Sequence, residues 1–142
     1  MFNRILVPTD ASEYSRRAFK TALDLARTFH SEIELLFVTY IPEAYWGYAV
    51  AASYIIPQEQ IEEGGDLALD ATLEGMDVHD LAITKKKIQG HPATVIASET
   101  EAENIDLVVM GSHGYGPITG SVLGSVSQGV LQRVKCPVLI VK

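Results

Sequence analysis

One cysteine, Cys136, occurs in the 142 residues, so no intramolecular disulfide can staple the chain, and its stability has to come from a buried core. Positive charge is scarce. Eleven Lys and Arg against eighteen Asp and Glu leave a net charge of −7, which works against nonspecific attachment to nucleic acid or to an anionic membrane. The aromatic stretch 41–56 is too short to cross a bilayer and is broken by Gly47 and Ser53, so membrane insertion is not expected. The residues Met1 to Ile5 offer no basic segment leading into an apolar signal core, and the expectation is a cytoplasmic protein. His30, His79, His91 and His113 stand apart without metal-ligand spacing, and no cysteine pair joins them, which argues against a protein-ligated transition metal.

A further absence is more specific. Gly111, Gly114, Gly116, Gly120 and Gly124 fall within fourteen residues, yet no lysine lies among them. The Walker phosphate loop requires Gly-Lys-Ser or Gly-Lys-Thr, and neither is present. The nearest approach to the dinucleotide fingerprint, Gly114-Tyr-Gly116-Pro-Ile-Thr119, breaks at its third glycine and follows a late strand.

What is present is an ordinary globular chain: 47% apolar residues and a length that fits a single domain, 1–142. Strand candidates are Ile5 to Val7, Ile33 to Val38, Ile83 to Ile88, Ile105 to Val109 and Val138 to Val141, several of them continuous apolar runs of the kind buried on both faces. Helical stretches alternate with them. Ser12 to Phe29 places Ala18, Ala22, Leu25 and Ala26 at helical spacing, and Pro57 to Met76 does the same less regularly with Ile61, Leu67 and Leu73. Pro92 to Glu103 opens on proline, and Gly124 to Val134 groups Val126, Val130, Leu131 and Val134. Five strands with four crossovers imply a doubly wound parallel α/β sheet with helices on both faces, Rossmann-like.

The run Asp106-Leu-Val-Val-Met110 enters Gly111-Ser-His-Gly114, and Gly124-Ser125 then opens a helix. A buried strand that turns through glycine into a helix N-terminus is suited to phosphate: the first N–H groups lack intrahelical partners, the terminus carries a partial positive charge, and glycine admits the close approach of an anion. Hydroxyls of Ser112, Thr119, Ser121, Ser125 and Ser127 add neutral donors. A tight turn alone also accounts for single members such as Gly116 or Gly120.

The spacing Gly-x2-Gly-x9-Gly-Ser, with Cys136-Pro-Val-Leu-Ile-Val-Lys142 after it and Ile5-Leu-Val-Pro8-Thr-Asp10 at the start, resembles the nucleotide-binding branch of the universal stress protein family. That resemblance implies strand order 3-2-1-4-5, a switch point between strands 1 and 4, and ATP (or ADP or AMP) bound there by a stress or signalling module. By match to the family pattern, Val38 and Met110 flank the adenine with Pro8 and Thr9 on the same wall. Gly111, Gly114, Gly124, Ser125 and the backbone of Val126 and Ser127 hold the phosphates. Both Val38 and Met110 also read as plain core.

Asp10 has two readings. It accepts from a ribose or holds Mg2+ or Mn2+ beside the phosphates, or, with Glu13 three residues on, it caps the first helix. His113 stands where relatives often carry a basic residue; near the phosphates, its protonation would strengthen binding below about pH 6.5. It also reads as a solvated loop residue. Tyr40, where relatives often carry an acid, leaves the ribose contact there open.

Catalysis has less support in the chain. Phosphoryl transfer needs cations on the developing charge, and Lys135, ten residues past Ser125, lies about 15 Å along the helix. Arg16 and Arg17 either bend toward the crevice or form a solvated face. The expectation is a nucleotide binder with at most weak ATPase activity. The alternatives are a slow hydrolase or phosphotransferase using the same crevice, and a nucleotide-independent dimeric interaction module. Relatives commonly dimerise through the last strand, so Val138 to Val141, at a sheet edge, implies a homodimer. Ile41 to Ile56, with Tyr45, Trp46, Tyr48 and Tyr54, is a lid, a surface for a protein partner or packing over strand 2.

Overall fold

The computed structural model describes residues 1–40, 57–114 and 122–142. The aromatic segment 41–56 and the glycine-rich stretch 115–121, with Gly116, Thr119, Gly120 and Ser121, lie outside the described residues. Along the chain run β1 (Arg4–Thr9), α1 (Glu13–Phe29), β2 (Glu32–Thr39), α2 (Gln58–Leu73), β3 (Ile83–Gln89), α3 (Pro92–Ala102), β4 (Leu107–Gly111), α4 (Ser125–Arg133) and β5 (Val138–Val141).

The five strands form one parallel sheet in the order β3-β2-β1-β4-β5. Central β1 sets the register, with Ile5 beside Ile33 of β2 and Leu107 of β4. Because side chains alternate across a strand, β1 feeds two cores. Ile5 and Val7 join Ala18, Phe19, Ala22, Leu23 and Ala26 of α1 and Leu69 of α2 on one face. Leu6 joins Leu36, Ala93 and Ile96 of α3, Val108, Met110 and Val130 of α4 on the other. Each large side chain so buried contributes roughly 1.5–3 kcal/mol before entropy is counted. Cys136 packs half-buried at the edge of the second core, and burial pushes its thiol above the usual range.

Several details depart from the sequence pattern. The apolar-run reading holds for β1, β2 and β4, but β3 is a polar edge, with Lys85 and Lys87 paired to Asp70 and Asp66 of α2 and Lys86 turned to the opposite face. Charges on an edge strand block pairing with another chain. In α2 the buried positions are Gly65, Leu69 and Thr72, while Leu67 is exposed; in α4, Leu131 is exposed too. The fourth strand begins two residues later than its apolar run suggests, because the Ile105 N–H closes α3 by donating to Thr100 O. Met110 and Gly111 are therefore strand residues, and the following loop starts at Ser112.

The N-terminus of α1 also corrects an expectation. Ser12, not Asp10, is the N-cap, and its hydroxyl accepts from the Ser15 N–H at 3.3 Å. No Asp10–Glu13 capping box forms, because Ala11, in the left-handed region at φ 65°, inserts a turn between Asp10 and the helix. Among the described residues no helix is long and apolar enough to cross a membrane.

Candidate functional site

At the carboxyl ends of β1 and β4 the chain leaves in opposite directions, toward α1 on one face and α4 on the other. Between the two exits lies a cavity of about 530 Å³. All twelve residues singled out from sequence line it: Pro8, Thr9 and Asp10 after β1, Val38 from β2, Met110, Gly111, His113 and Gly114 from the end of β4, and Gly124 to Ser127 at the start of α4. The structure adds Leu36, Pro92, Ile96, Ser15, Leu123 and Gln128. Leu36 was legible by alternation, since it shares a strand face with Val38, and Ile96 lies about one turn beyond Pro92. Ser15 carried no such signal.

One half of the cavity is apolar, formed by Leu36, Val38, Ile96 and Met110. The other half is backbone and short polar side chains. On the β1 side nearly every polar group is bonded within the protein. Asp10 Oδ1 accepts from the Ser12 N–H at 2.9 Å and from the Ser15 hydroxyl at 2.8 Å. Thr9 Oγ1 accepts from the Ala11 N–H at 3.0 Å and meets Thr72 Oγ1 at 2.8 Å. Since Thr72 gives its own proton to Ala68 O, the Thr9 hydroxyl is the donor of that pair and its one proton is spent.

The β4 side is bonded differently. Ser127 Oγ, buried, shares its one proton between Gly111 O at 2.9 Å and Ser112 O at 3.2 Å, and the Gly124 N–H donates to Ser112 O at 2.7 Å. These bonds correct two expectations. The Ser127 hydroxyl and the Gly124 amide are engaged in clamping α4 to β4; Ser112 Oγ lies 3.1 Å from His113 Nδ1. Among the described residues, α4 begins at Ser125 with no side-chain cap, so the Ser125, Val126 and Ser127 N–H groups lack the partners that a capped helix supplies.

Two glycines hold the loops together. A Cβ on Gly111 would fall 2.7 Å from Tyr14 Cβ and 2.9 Å from its carbonyl carbon, and one on Gly114 would fall 2.2 Å from Asp10 Oδ2. A side chain at Gly111 would push α1 away from the end of β4, whereas one at Gly114 would have to displace the Asp10 carboxylate.

Fixed positive side chains are absent from the residues lining the cavity, and Asp10 is their one formal negative charge. The segments 41–56 and 115–121 also contain no Lys or Arg. Arg16 donates to Glu74 O, Arg17 stacks 4.9 Å from the Tyr14 ring centre, and Lys135 pairs with Glu101 at 3.3 Å. The Tyr14 ring in turn lies 5.4 Å from that of His113. Positive potential here comes from the helix terminus. Tyr40, at the end of β2, stands edge-on to His91, 5.5 Å away.

Elsewhere the fold gathers Asp77, His79 and Asp80, which sequence spacing left unconnected, on the surface turn before β3. His79 Nδ1 meets Asp77 Oδ1, and Arg27 binds Asp80 at 2.9 Å and 3.1 Å. The hydrogen bond from Arg27 holds the Asp80 carboxyl below its ordinary range. This turn is an exposed ion-pair network.

A parallel sheet in this order, with a glycine-lined cleft at the β1/β4 switch point and an uncapped helix aimed at it, defines a doubly wound α/β class whose ligands sit at the strand ends. The chain belongs to the universal stress protein family, which it matches over residues 1–142. It is 30% identical over 142 residues to Universal stress protein MJ0531 of Methanocaldococcus jannaschii, covering 100% of this chain and 83% of that protein. Among solved structures, hypothetical protein MJ0577 superposes with a TM-score of 0.85 at 26% identity, covering 100% of this chain and 96% of the other. A universal stress protein solved in complex with cAMP superposes with a TM-score of 0.62 at 26% identity, covering 99% and 96%.

Proposed function

We propose that this chain binds an adenine nucleotide, ATP foremost, at the β1/β4 cleft and acts as a nucleotide-responsive stress or signalling module. The observation that carries the reading is the pairing of an apolar half, Leu36, Val38, Ile96 and Met110, with the uncapped amides of Ser125 to Ser127 in one cavity of about 530 Å³. The apolar half suits a base, the amides suit phosphate oxygens, and the cAMP complex of a relative supports the ligand class.

Asp10 would hold the Mg2+ or Mn2+ that accompanies the nucleotide. The residues fit such an ion: a carboxylate is a hard oxygen donor, and no lysine or arginine lines the cavity to neutralise a polyphosphate. The ion would supply that neutralisation. With no side-chain cation there to stabilise transferring phosphoryl oxygens, the module binds and at most hydrolyses slowly. Residues 1–142 act as one unit in the cytoplasm and pair into a homodimer through β5, where Leu139 is exposed on the edge strand. Leu139→Lys should convert the dimer to monomer in analytical ultracentrifugation.

The direct test is to denature freshly purified protein and identify released nucleotide by mass spectrometry, then titrate nucleotide-free protein calorimetrically with ATP, ADP, AMP and cAMP, with and without Mg2+. Recovery of an adenine nucleotide, or saturable binding of one, supports the reading. No release and no binding overturns it.

A further inference from the structure

Away from the cleft, on the sheet face covered by α3, five charged side chains share a small volume. Glu34, in the middle of β2, points to the α3 side and is 4% exposed, and its Oε1 has no hydrogen-bond partner among the described residues. Glu99 of α3, 6% exposed, faces it and is also bonded by Lys86 Nζ. Lys86 donates again to Glu103 at 3.2 Å, and Arg4 of β1 reaches the same carboxylate at 3.3 Å. Three carboxylates against two cations leave one negative charge uncompensated, and two ionised carboxylates are acceptors that cannot bond each other. The cation position is already filled by the Lys86 ammonium, so the missing partner is one that supplies a donor between Glu34 and Glu99.

We propose that Glu34 and Glu99 form a proton-binding site, holding one proton between them and losing it on alkalinisation. The proton turns Glu34 into the donor that the pair lacks and brings the cluster to neutrality. Because Glu99 belongs to α3 and Glu34 to the sheet, the proton links solvent pH to the seating of that helix.

The surroundings favour this reading. Burial raises the Glu34 carboxyl to about 7, helped by its hydrogen bond to Glu99 and by the charges of Glu99 and Glu103, while Lys86 opposes the rise. Lys86 is held above its ordinary range by its bond to Glu99, and Glu103 is held below its own by Lys86, so these two stay ionised. The other charges nearby point elsewhere. Glu32 of β2 is exposed, Lys85 and Lys87 of β3 pair with α2 on the opposite face, Glu101 of α3 pairs with Lys135, and Arg133 of α4 turns back to Gly129 O.

A carboxyl raised on folding binds its proton more tightly in the native state than in the unfolded chain. The stability it contributes is therefore complete below the ordinary glutamate range and declines as pH rises through about 7. One proton limits the effect to a tenfold rise in the unfolding constant per pH unit.

The test is a carbon-13 NMR titration of the glutamate Cδ resonances in the wild-type protein, assigned through bonds, between about pH 4 and about pH 9. The Glu34 signal is expected to move with a midpoint near 7. A Glu34 midpoint in the ordinary range near ~4.3 would overturn the proposal. Glu34→Gln keeps the shape of the protonated acid and carries a permanent donor. Its unfolding constant in urea should lack the rise that the wild type shows toward alkaline pH; parallel losses in the two proteins count against the site, and the wild-type titration decides the matter if the variant does not fold.

Discussion

The two loops that meet at the cleft solve one problem in opposite ways. The β1–α1 turn closes on itself: Asp10, Ser12 and Ser15 exchange hydrogen bonds, and the Thr9 hydroxyl bonds to Ala11 and Thr72. Among the described residues of the β4–α4 connection, Ser127 and the Gly124 amide grip β4, and no side chain caps the first turn of α4. A loop whose donors are matched internally can only wall a cleft, whereas unmatched amides at a helix start are suited to an anion. The difference is in the cap: a serine accepts the orphan amide in α1, whereas glycine at the N-cap of α4 has no side chain to do so.

The sharpest way to break this contrast is to pry the loops apart. Gly111→Val puts a side chain into Tyr14, whose backbone has no room to retreat, and should cost about 3 kcal/mol in urea unfolding and abolish nucleotide binding with it. Ser125→Pro is more selective. Proline is favoured in the first turn, the preceding Gly124 is already extended at ψ 168°, and one amide donor disappears. Calorimetric affinity for ATP should fall about tenfold, the weight of one N–H bond to a charged oxygen, while the melting temperature of nucleotide-free protein holds.

The reciprocal substitution belongs on the other loop. Ser12→Ala removes the cap of α1 and should cost about 1 kcal/mol of stability with nucleotide affinity unchanged, since Ser12 does not line the cavity. Asp10→Asn has the smallest effect. It keeps an acceptor for the Ser12 amide but removes the charge, so ATP affinity without Mg2+ should rise about threefold and its dependence on Mg2+ should shrink. A drop in metal-free affinity would mean that Asp10 faces a donor on the ligand and not its phosphates.

Much of the architecture could be read in the chain because strands buried on both faces leave a plain mark: the Ile5 and Val108 regions are continuous apolar runs bounded by Pro8 and by Gly111. The polar edge β3 was less legible, since Lys85, Lys86 and Lys87 take their places from pairing with α2 and α3, which local pattern does not record. At the site, the grouping of the twelve expected residues around one cavity followed from the two loop motifs together with the family resemblance, which supplied the strand order and Val38. What each side chain does there did not follow. Ser127 looks like any donor near phosphate until its hydroxyl is found on Gly111 O and Ser112 O, and Asp10 looks like a cap until Ala11 turns the chain and passes that role to Ser12.

Sequence alone determined the alternation of strands and helices, the glycine-bounded exit from β4 and the scarcity of cations along it, because periodicity, turn chemistry and charge are local properties of the chain. Tertiary structure decided which donors remain for a guest and where Glu34 meets Glu99. Those facts depend on partners about 15 and 65 residues apart, and a hydrogen bond is allotted only when both ends arrive.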